Sequence, residues 1–320
     1  MYKLPMNSLK KLSPETKIYI AGHQGLVGSA IWRYFDELGF ANLSGYSSSE
    51  IDLRDQHASS GIIAKEKPEI LIIAAAKVGG IVANATHPVE FLNDNIRIQT
   101  NLLEAAHANQ VSRVLFLGSS CIYPKYAPQP IQENSLLTGV LEETNDSYAI
   151  AKIAGVMQVK SYRLEYNCSW ISAMPTNLYG PRDNFDLTSS HVMPALIRRF
   201  HEAKVSDSAE VTLWGTGRPM REFLHVDDLA RAAHHLLTHY DHGSPINIGW
   251  GKDLSIADLA TLIAEMVGFD GKIAWDSSKP DGTPRKLLDT TKINSLGWHP
   301  QIELRDGIAS TYKWYLENLS

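Results

Sequence analysis

The chain is poor in cysteine and has no strong excess of charge of either sign. Its 320 residues include only two cysteines, Cys121 and Cys168, with no CxxC pair and no zinc-ligand spacing. The 30 basic and 35 acidic side chains give a formal net charge of −5, which argues against a nucleic-acid binder held by a basic surface. We therefore expect a reduced, cytoplasmic protein without a metal site.

Long apolar runs are also missing. The longest one, residues 70–76, is far shorter than the ~20 residues that a membrane-spanning helix requires. The start of the chain is polar and is interrupted by Pro5 and Pro14, so no signal peptide is predicted. We expect a flexible, solvated tail over residues 1–16, and neither a membrane nor a nucleic acid as partner.

The pattern of apolar residues indicates an α/β fold. Short β-branched runs alternate with amphipathic stretches, which is typical of βαβ units on a parallel sheet. Strands are predicted at 17–20, 68–76, 113–117, 169–175, 211–214 and 246–248, and helices at 27–38, 90–109, 147–165, 193–202, 226–239, 256–267 and 305–318. This predicts a Rossmann-type doubly wound parallel sheet with a smaller α/β substrate-binding lobe. We place the dinucleotide-binding domain at 17–178 and mainly the substrate-binding lobe at 179–320, from which segments can return to the first sheet.

A glycine motif follows the first predicted strand. Gly22, Gly25 and Gly28 form GxxGxxG directly before a predicted helix, where such glycines allow a tight turn, the approach of a pyrophosphate and close helix–strand packing. This placement predicts a dinucleotide site. Beyond the second strand, expected to end near Tyr46, an acidic residue would bind a ribose and an arginine a 2′-phosphate. The chain has serines at 47–49 instead, so the residues leave NAD and NADP open.

A serine, a tyrosine and a lysine complete a reductase pattern. Tyr148 and Lys152 form YxxxK on one face of a predicted helix, and Ser119 follows a strand at the edge where parallel sheets bind ligands. A nearby ammonium favours the phenolate of a tyrosine, and a serine can hold a carbonyl oxygen on which charge develops. Because about one YxxxK arises by chance here, it is the order of the three motifs that indicates hydride transfer to a carbonyl.

Further segments resemble the extended short-chain dehydrogenase/reductases. They are AAAKVGGIVAN at 74–84, LGSSCIYPK at 117–125, YAIAK at 148–152, MPTNLYGP at 174–181, MREFLHVDD at 220–228 and KPDGTPRK at 279–286. Together they are highly specific and extend from about residue 17 to the C-terminus. The resemblance implies an enzyme that epimerises C3 and C5 of GDP-4-keto-6-deoxy-D-mannose and reduces its C4 ketone.

The resemblance also implies roles for individual residues. Ser119, Tyr148 and Lys152 would be the reductase triad, Cys121 the epimerisation base and His191 the matching acid. Cofactor contacts would come from Gly22, His23, Gln24, Gly25, Leu26, Val27, Gly28, Ser48, Leu117, Gly118, Ser119, Ser120, Lys152, Pro175, Thr176, Asn177, Leu178 and His191. Contacts to the GDP-sugar would come from Arg199, Trp214, Arg221 and Asp281. The implied cofactor is NADPH, but a member of the family has arginines where this chain has Gln24 and Ser48, so NADH is not excluded.

The chemistry of a 4-keto sugar supports the roles of Cys121 and His191. The ketone acidifies the protons on C3 and C5, and inversion needs a base on one face and an acid on the other. A thiolate favoured by nearby positive charge can be the base, and histidine titrates near neutrality. The alternatives are a small buried cysteine and a histidine that only begins a helix. Arg198 and Lys286 are interpreted as solvated surface.

Three other functions remain in competition. The first is a reductase acting on a related GDP-4-keto sugar, such as a 3,6-dideoxy sugar or a 6-deoxyheptose. The second is a dehydratase or 4-epimerase that keeps NAD bound, although the residues after Ser119 lack the acidic side chains that such dehydratases have. The third is a non-enzymatic cofactor-binding module. The helices at 90–109 and 147–165 resemble a pair that forms a four-helix dimer interface in the family, so a homodimer is expected.

Overall fold

A computed structural model describes residues 12–279 and 281–319 of the chain, so most of the tail expected at 1–16 lies outside the described residues. The strands are numbered along the chain: β1 Ile18–Ala21, β2 Leu43–Ser44, β3 Ile70–Ile73, β4 Arg113–Leu117, β5 Ile171–Pro175, β6 Asn177–Tyr179, β7 Glu210–Trp214, β8 Met220–His225, β9 Ile246–Ile248, β10 Asp253–Ser255, β11 Lys272–Asp276 and β12 Arg285–Lys286.

The helices are numbered in the same way. They are α1 Leu26–Glu37, α2 Gln56–Glu66, α3 Ile81–Thr86, α4 Pro88–Ala108, α5 Asp146–Tyr166, α6 Val192–Val205, α7 Val226–His239, α8 Ile256–Val267, α9 Thr291–Ser295 and α10 Leu304–Glu317. In the part of the chain that the structure describes, no helix is both long and apolar enough to cross a membrane.

Six strands form one parallel sheet in the order β2-β1-β3-β4-β5-β9. All residues of β1, β3, β4 and β5 are buried, because helices cover both faces of the sheet. Strand β9 comes from the second half of the chain and pairs with β5 at the edge. The sheet is therefore of the Rossmann type, and its carboxyl edge is formed by segments far apart in sequence.

Side chains of β1 show how the layers form. Ile18 and Ile20 pack in a core with residues of α1 and α7, whereas Tyr19 and Ala21 pack in a second core with residues of α2, α4 and α5. This follows from the two-residue period of a strand, which sends successive side chains to opposite faces. The sheet lies between two helical layers.

A smaller part of the structure has its own core. Strand β8 pairs with β6, β10 and β12, and β7 pairs with β11. Apolar residues of α6, α8 and α10 pack with these strands in a third cluster. Because β6 follows β5 after one residue, the chain passes directly from the large sheet to the smaller one at the carboxyl edge.

The observed elements differ from the predicted ones in a few places. The strand predicted at 68–76 covers only Ile70–Ile73, because the chain leaves the sheet after Ala74 donates to the Ala21 carbonyl at 3.0 Å. Helix α2 has little amphipathic character and was not predicted; it begins where Asp55 accepts a hydrogen bond from the Ala58 backbone at 2.8 Å. Strands β6, β8, β10, β11 and β12 and helices α3 and α9 were also missed, and β2 ends at Ser44 rather than near Tyr46.

Candidate active site

The glycine loop joins β1 to α1. Gly22 has φ +82°, which a residue with a side chain rarely adopts, and Gly25 is the N-cap of α1. A Cβ on Gly28 would lie 2.1 Å from the Gly22 carbonyl oxygen, so only glycine lets the helix approach the loop this closely. The first turn of α1 has no acidic residue and no side-chain cap, which leaves its N–H groups for an anion. This cradle fits the pyrophosphate of a dinucleotide.

The segment that follows β2, residues 45–50, contains no lysine or arginine, although the Lys65 ammonium donates to the Tyr46 hydroxyl at 2.9 Å. Ser48 is exposed, as is Gln24 in the glycine loop. The Glu50 carboxylate accepts hydrogen bonds from the backbone N–H and hydroxyl of Ser47, at 2.7 and 2.6 Å, and these bonds lower its pKa. The His23 pKa is also lowered, first by burial of its ring. At the positions where an arginine could bind a 2′-phosphate, the described residues are therefore neutral or acidic.

Ser119, Tyr148 and Lys152 meet at the carboxyl edge of the sheet. Lys152 is 3% exposed, and its ammonium donates to the Leu117 carbonyl oxygen at 2.9 Å. The ammonium also lies 5.9 Å from the centre of the Tyr148 ring. Burial lowers the pKa of Lys152 to about 8. Burial raises the pKa of Tyr148, and the charge of Cys121 raises it further. A hydrogen bond with Ser119 has the opposite effect and lowers it. At neutral pH the pair is thus a phenol beside an ammonium.

Cys121 lies in the short 3₁₀ turn that follows Ser119. The Ser119 hydroxyl accepts a hydrogen bond from the Cys121 backbone at 3.2 Å and caps this turn. The half-buried Sγ is 3.4 Å from Asn145 Nδ2 and 3.6 Å from Lys286 Nζ. Opposite charges on Cys121 and Arg221 also interact. Hydrogen-bond donors and cations therefore surround the Cys121 sulfur.

His191 stands at the start of α6, where its backbone is extended. Its side chain is accessible to solvent, yet desolvation of the ring and the nearby charge of Lys286 lower its pKa. The preceding loop is fixed to the segment after β3, since Gly80 N–H donates to the Ser189 carbonyl at 2.8 Å. Lys286 therefore acts electrostatically on His191 and contacts Cys121, which places all three in one site.

Two arginines predicted to contact a GDP-sugar are half-buried. Arg199 lies on α6 and has no hydrogen bond or ion pair with any described residue, so its guanidinium is available to a ligand. Arg221 lies on β8, where it donates to the Met220 carbonyl at 2.9 Å. Burial lowers its pKa, and the charges of Cys121, Glu142 and Asp281 oppose that effect. Guanidinium groups of this kind suit a diphosphate.

Trp214 and Asp281 lie at the same corner of the smaller lobe. The indole is 58% exposed at the end of β7, and the Lys279 ammonium is 5.6 Å from its ring centre. Asp281 accepts hydrogen bonds from Thr216 N–H and Oγ1, at 2.6 and 2.7 Å. The carboxylate thereby holds the turn after Trp214, and the exposed indole has the flat surface on which a base can stack.

The segment 175–178 continues β5 towards the site. Thr176 N–H donates to the Ile248 carbonyl at 2.9 Å, and Asn177 Nδ2 donates to the Glu222 carbonyl at 2.8 Å. These bonds fix the segment between the large sheet and β8. Gly118 is tightly packed, because a Cβ there would lie 2.4 Å from Met174 Cε. The described residues contain no cluster of three or more His, Cys, Asp and Glu side chains able to hold a metal.

The interpretation of Lys286 as solvated surface was wrong. Its side chain is half-buried and reaches Cys121, because Arg285 and Lys286 alternate on β12 and only Arg285 points outward, to Asp253 at 2.6 Å. Asn145 was also missed. Its position three residues before Tyr148, at the start of α5, was the only signal in the sequence, and its Oδ1 is buried without a partner among the described residues.

A Rossmann-type sheet with a glycine cradle and a serine, tyrosine and lysine at its carboxyl edge is the architecture of the nucleotide-sugar reductases and epimerases. The chain belongs to the NAD dependent epimerase/dehydratase family, whose model matches residues 18–249. It is 56% identical over 304 residues to a protein of Oryza sativa subsp. japonica described as probable GDP-L-fucose synthase 1, which covers 95% of this chain and 93% of the relative.

Two solved structures have a similar fold along nearly the whole chain. One is a GDP-6-OMe-4-keto-L-xylo-heptose reductase from C. jejuni, with a TM-score of 0.92, 35% identity, and coverage of 96% of this chain and 99% of that one. The other is a GDP-L-fucose synthetase from Naegleria fowleri bound to NADP, with a TM-score of 0.88, 28% identity, and coverage of 97% and 96%.

Proposed function

We propose that this enzyme converts GDP-4-keto-6-deoxy-D-mannose to GDP-L-fucose by epimerisation at C3 and C5 and NADPH-dependent reduction at C4. The observation that carries the proposal is the position of Cys121. Its Sγ lies within 3.6 Å of the Lys286 ammonium, and its backbone is bonded to the hydroxyl of Ser119 in the reductase triad. A base for C3 and C5 and a proton donor for the C4 oxygen thus lie at one site.

Epimerisation begins with proton removal by the Cys121 thiolate. The C–H bond at C3 or C5 breaks, the thiolate becomes a thiol, and the electron pair forms an enolate with its charge on the C4 oxygen. His191 then donates a proton to the carbon from the opposite face, and both groups recover their protonation states by exchange with solvent. The Lys286 ammonium lies 3.6 Å from the Cys121 sulfur. Burial and, after it, the charge of Lys286 lower the pKa of His191, so its imidazolium gives up a proton more readily.

Reduction uses the same oxygen of the sugar. When bound, the reduced nicotinamide supplies a hydride to C4. The phenol of Tyr148 gives its proton to the C4 oxygen, and the raised pKa keeps that phenol protonated until it is needed. Ser119 positions the oxygen, and Lys152 stabilises the resulting phenolate. Because enolate and alkoxide charge fall on one oxygen, the donors Ser119 and Tyr148 serve both stages.

NADPH is the proposed reductant. The cradle at Gly22–Gly28, the segment 117–120, Lys152 and the segment 175–178 would hold it, and the NADP-bound relative supports the choice. Neutral Gln24 and Ser48 leave the 2′-phosphate without an arginine at those positions, so we expect a preference that is weaker than a guanidinium would give. The test is kcat/KM with each cofactor; a clear preference for NADH would refute NADPH as the physiological donor.

A related GDP-4-keto sugar is the second candidate substrate. The similarity to the C. jejuni reductase favours such a substrate, since that protein is described as acting on a seven-carbon 4-keto sugar. The deciding experiment offers GDP-4-keto-6-deoxy-D-mannose and a GDP-4-keto-6-deoxyheptose under identical conditions. We expect a kcat/KM at least ~10-fold higher for the six-carbon sugar, and the opposite order would move the assignment to the heptose.

A homodimer is the proposed assembly, through α4 and α5. Ile150, Met157 and Leu164 are exposed by 46%, 39% and 64% and recur every seven residues, so they form one apolar stripe on α5. Light scattering should give twice the chain mass for the wild type and a monomer for Met157→Lys with Leu164→Glu. A monomeric wild type would overturn the dimer. We also propose a cytoplasmic location, in keeping with the two free cysteines; fractionation tests it.

A further inference from the structure

The side chain of Gln129 bonds to the peptide groups on both sides of Lys286. Its Oε1 accepts from Leu287 N–H at 2.9 Å, and its Nε2 donates to the Arg285 carbonyl at 3.1 Å. These are the two bonds that a residue in a neighbouring parallel strand makes to the residues flanking its partner. On the opposite side, Lys286 pairs with Arg221 of β8. The strand that carries Lys286 therefore has a backbone partner on one edge and a side-chain amide on the other.

The amide of Gln129 adds one more pair of hydrogen bonds to a short parallel β-bridge. Ile131 N–H donates to the Leu287 carbonyl at 2.7 Å, and Asp289 N–H donates to the Ile131 carbonyl at 2.8 Å, which makes a parallel bridge between the two segments. The next residue that would face this segment in a parallel ladder is Gln129, and it bonds to the segment through its side-chain amide. Gln129 supplies the missing bonds at the end of the ladder nearest to Cys121.

The contact between Lys286 and Cys121 depends on this support. A lysine ammonium lies at the end of a flexible four-carbon chain, so its position is defined only if its backbone is fixed. The charged and polar groups around the thiol are Lys286 from β12, Arg221 from β8, and Asn145 and Tyr148 at the start of α5. At 3.6 Å, a displacement of β12 by about 1 Å would take the ammonium out of hydrogen-bond range.

We propose that Gln129 is a positioning residue for epimerisation: it fixes β12 so that the Lys286 ammonium remains on the Cys121 thiolate. The role of Cys121 in the reaction rests on the proposed function, but the geometry of the contact does not. Loss of the Gln129 amide should therefore reduce the reactivity of Cys121 in the free enzyme, before any sugar is added.

The test is alkylation of Cys121 by iodoacetamide between about pH 6 and 9, in a Cys168→Ser background that leaves one thiol. Gln129→Leu should slow alkylation about tenfold near neutral pH and move its pH profile upward, as expected for one lost charge-assisted contact. Adding Gln129→Leu to Lys286→Met should slow alkylation little further than Lys286→Met alone, because both substitutions act through one contact. The matched control is Gln132→Leu, whose amide donates to the Asp289 carboxylate at 3.4 Å and has no other side-chain hydrogen bond among the described residues; it should behave as the wild type.

Two outcomes would overturn the proposal: an unchanged alkylation profile in Gln129→Leu, or losses from Gln129→Leu and Lys286→Met that simply multiply. If Gln129→Leu does not fold, Gln129→Glu keeps the acceptor for Leu287 but cannot donate to Arg285, and an unchanged profile there would equally refute it. Deuterium uptake at C3 and C5 should fall in parallel with alkylation. Full uptake by Cys121→Ser would instead refute the proposed function and leave the alkylation result valid.

Discussion

Replacing Lys152 by methionine should inactivate reduction and, at neutral pH, stabilise the folded protein. Burial lowers the Lys152 pKa from 10.5 to about 8, so the ammonium is held in a site that disfavours its charge. One pKa unit corresponds to about 1.36 kcal/mol, so the lowered Lys152 pKa reduces the free energy of unfolding by about 3 kcal/mol at pH 7. Loss of the bond to the Leu117 carbonyl removes about 1 kcal/mol of stabilisation in the variant. The net gain expected for Lys152→Met is about 2 kcal/mol.

The pH dependence gives the sharper test. Between pH 8 and 10.5 the unfolded chain binds more protons at this lysine than the folded chain does, so wild-type stability rises with pH in that window. The charge cost falls below about 1 kcal/mol by pH 10, and the advantage of the variant should disappear there. Urea unfolding at several pH values measures the difference. Lys272→Met, at an exposed lysine paired with Glu210, is the control. A difference between Lys152→Met and wild type that stays constant from pH 7 to 10 would show that burial of the Lys152 charge does not destabilise the fold.

Three further substitutions test other parts of the site. Gly28→Ala puts a Cβ 2.1 Å from a carbonyl oxygen of the glycine loop, so it should weaken cofactor binding at least ~100-fold, as measured by calorimetry. The control is Gly61→Ala, where a Cβ meets open space, and its effect on stability should be neutral or favourable. Equal cofactor binding by both variants would contradict the role of the glycine loop as the pyrophosphate site. Burial raises the Asp183 pKa to about 7, and its Oδ2 has no partner among the described residues, so the folded state holds a proton that the unfolded chain releases. Asp183→Asn should therefore be more stable than wild type by roughly 4 kcal/mol at pH 8 and by less than about 1 kcal/mol at pH 4; a pH-independent difference in unfolding would exclude this. Lys286→Met should slow proton exchange by Cys121 about 100-fold, as measured by deuterium uptake, and Lys286→Arg should slow it less. Wild-type rates in Lys286→Met would show that the contact between Lys286 and Cys121 has no role.

The fold could be predicted from the sequence wherever a local pattern determined the element. Strand β4 and helices α7 and α8 agree residue for residue with the predicted ranges, because their apolar periodicity is strong and their ends are marked. Helix α2 carries little amphipathic signal, and its N-cap Asp55 precedes a polar turn, so periodicity failed there. Strand β8 was missed because its pairing is with three segments distant in sequence, and no local pattern encodes such partners.

The site shows the same division. The glycine loop and the YxxxK are local motifs, and their positions could be predicted from their spacing together with their order along the chain. Lys286 lies 165 residues after Cys121, and its approach to Sγ results from the pairing of β12 with β8 and with the Gln129 amide. A lysine next to an arginine in a polar segment gives no sign of which one points inward. The direction of each side chain is set by β12, in which successive side chains point to opposite sides, and this strand was not predicted.

In the proposed mechanism, one site carries out both epimerisation and reduction. The most direct test is the NMR spectrum of the product formed from GDP-4-keto-6-deoxy-D-mannose and NADPH in deuterated water. Deuterium at both C3 and C5 of GDP-L-fucose is the predicted result, and Cys121→Ser should abolish it. A reduced sugar with ordinary hydrogen at both carbons would contradict the claim, because the enzyme would then be a simple 4-reductase and Cys121, His191 and Lys286 would not act as base, acid and electrostatic partner.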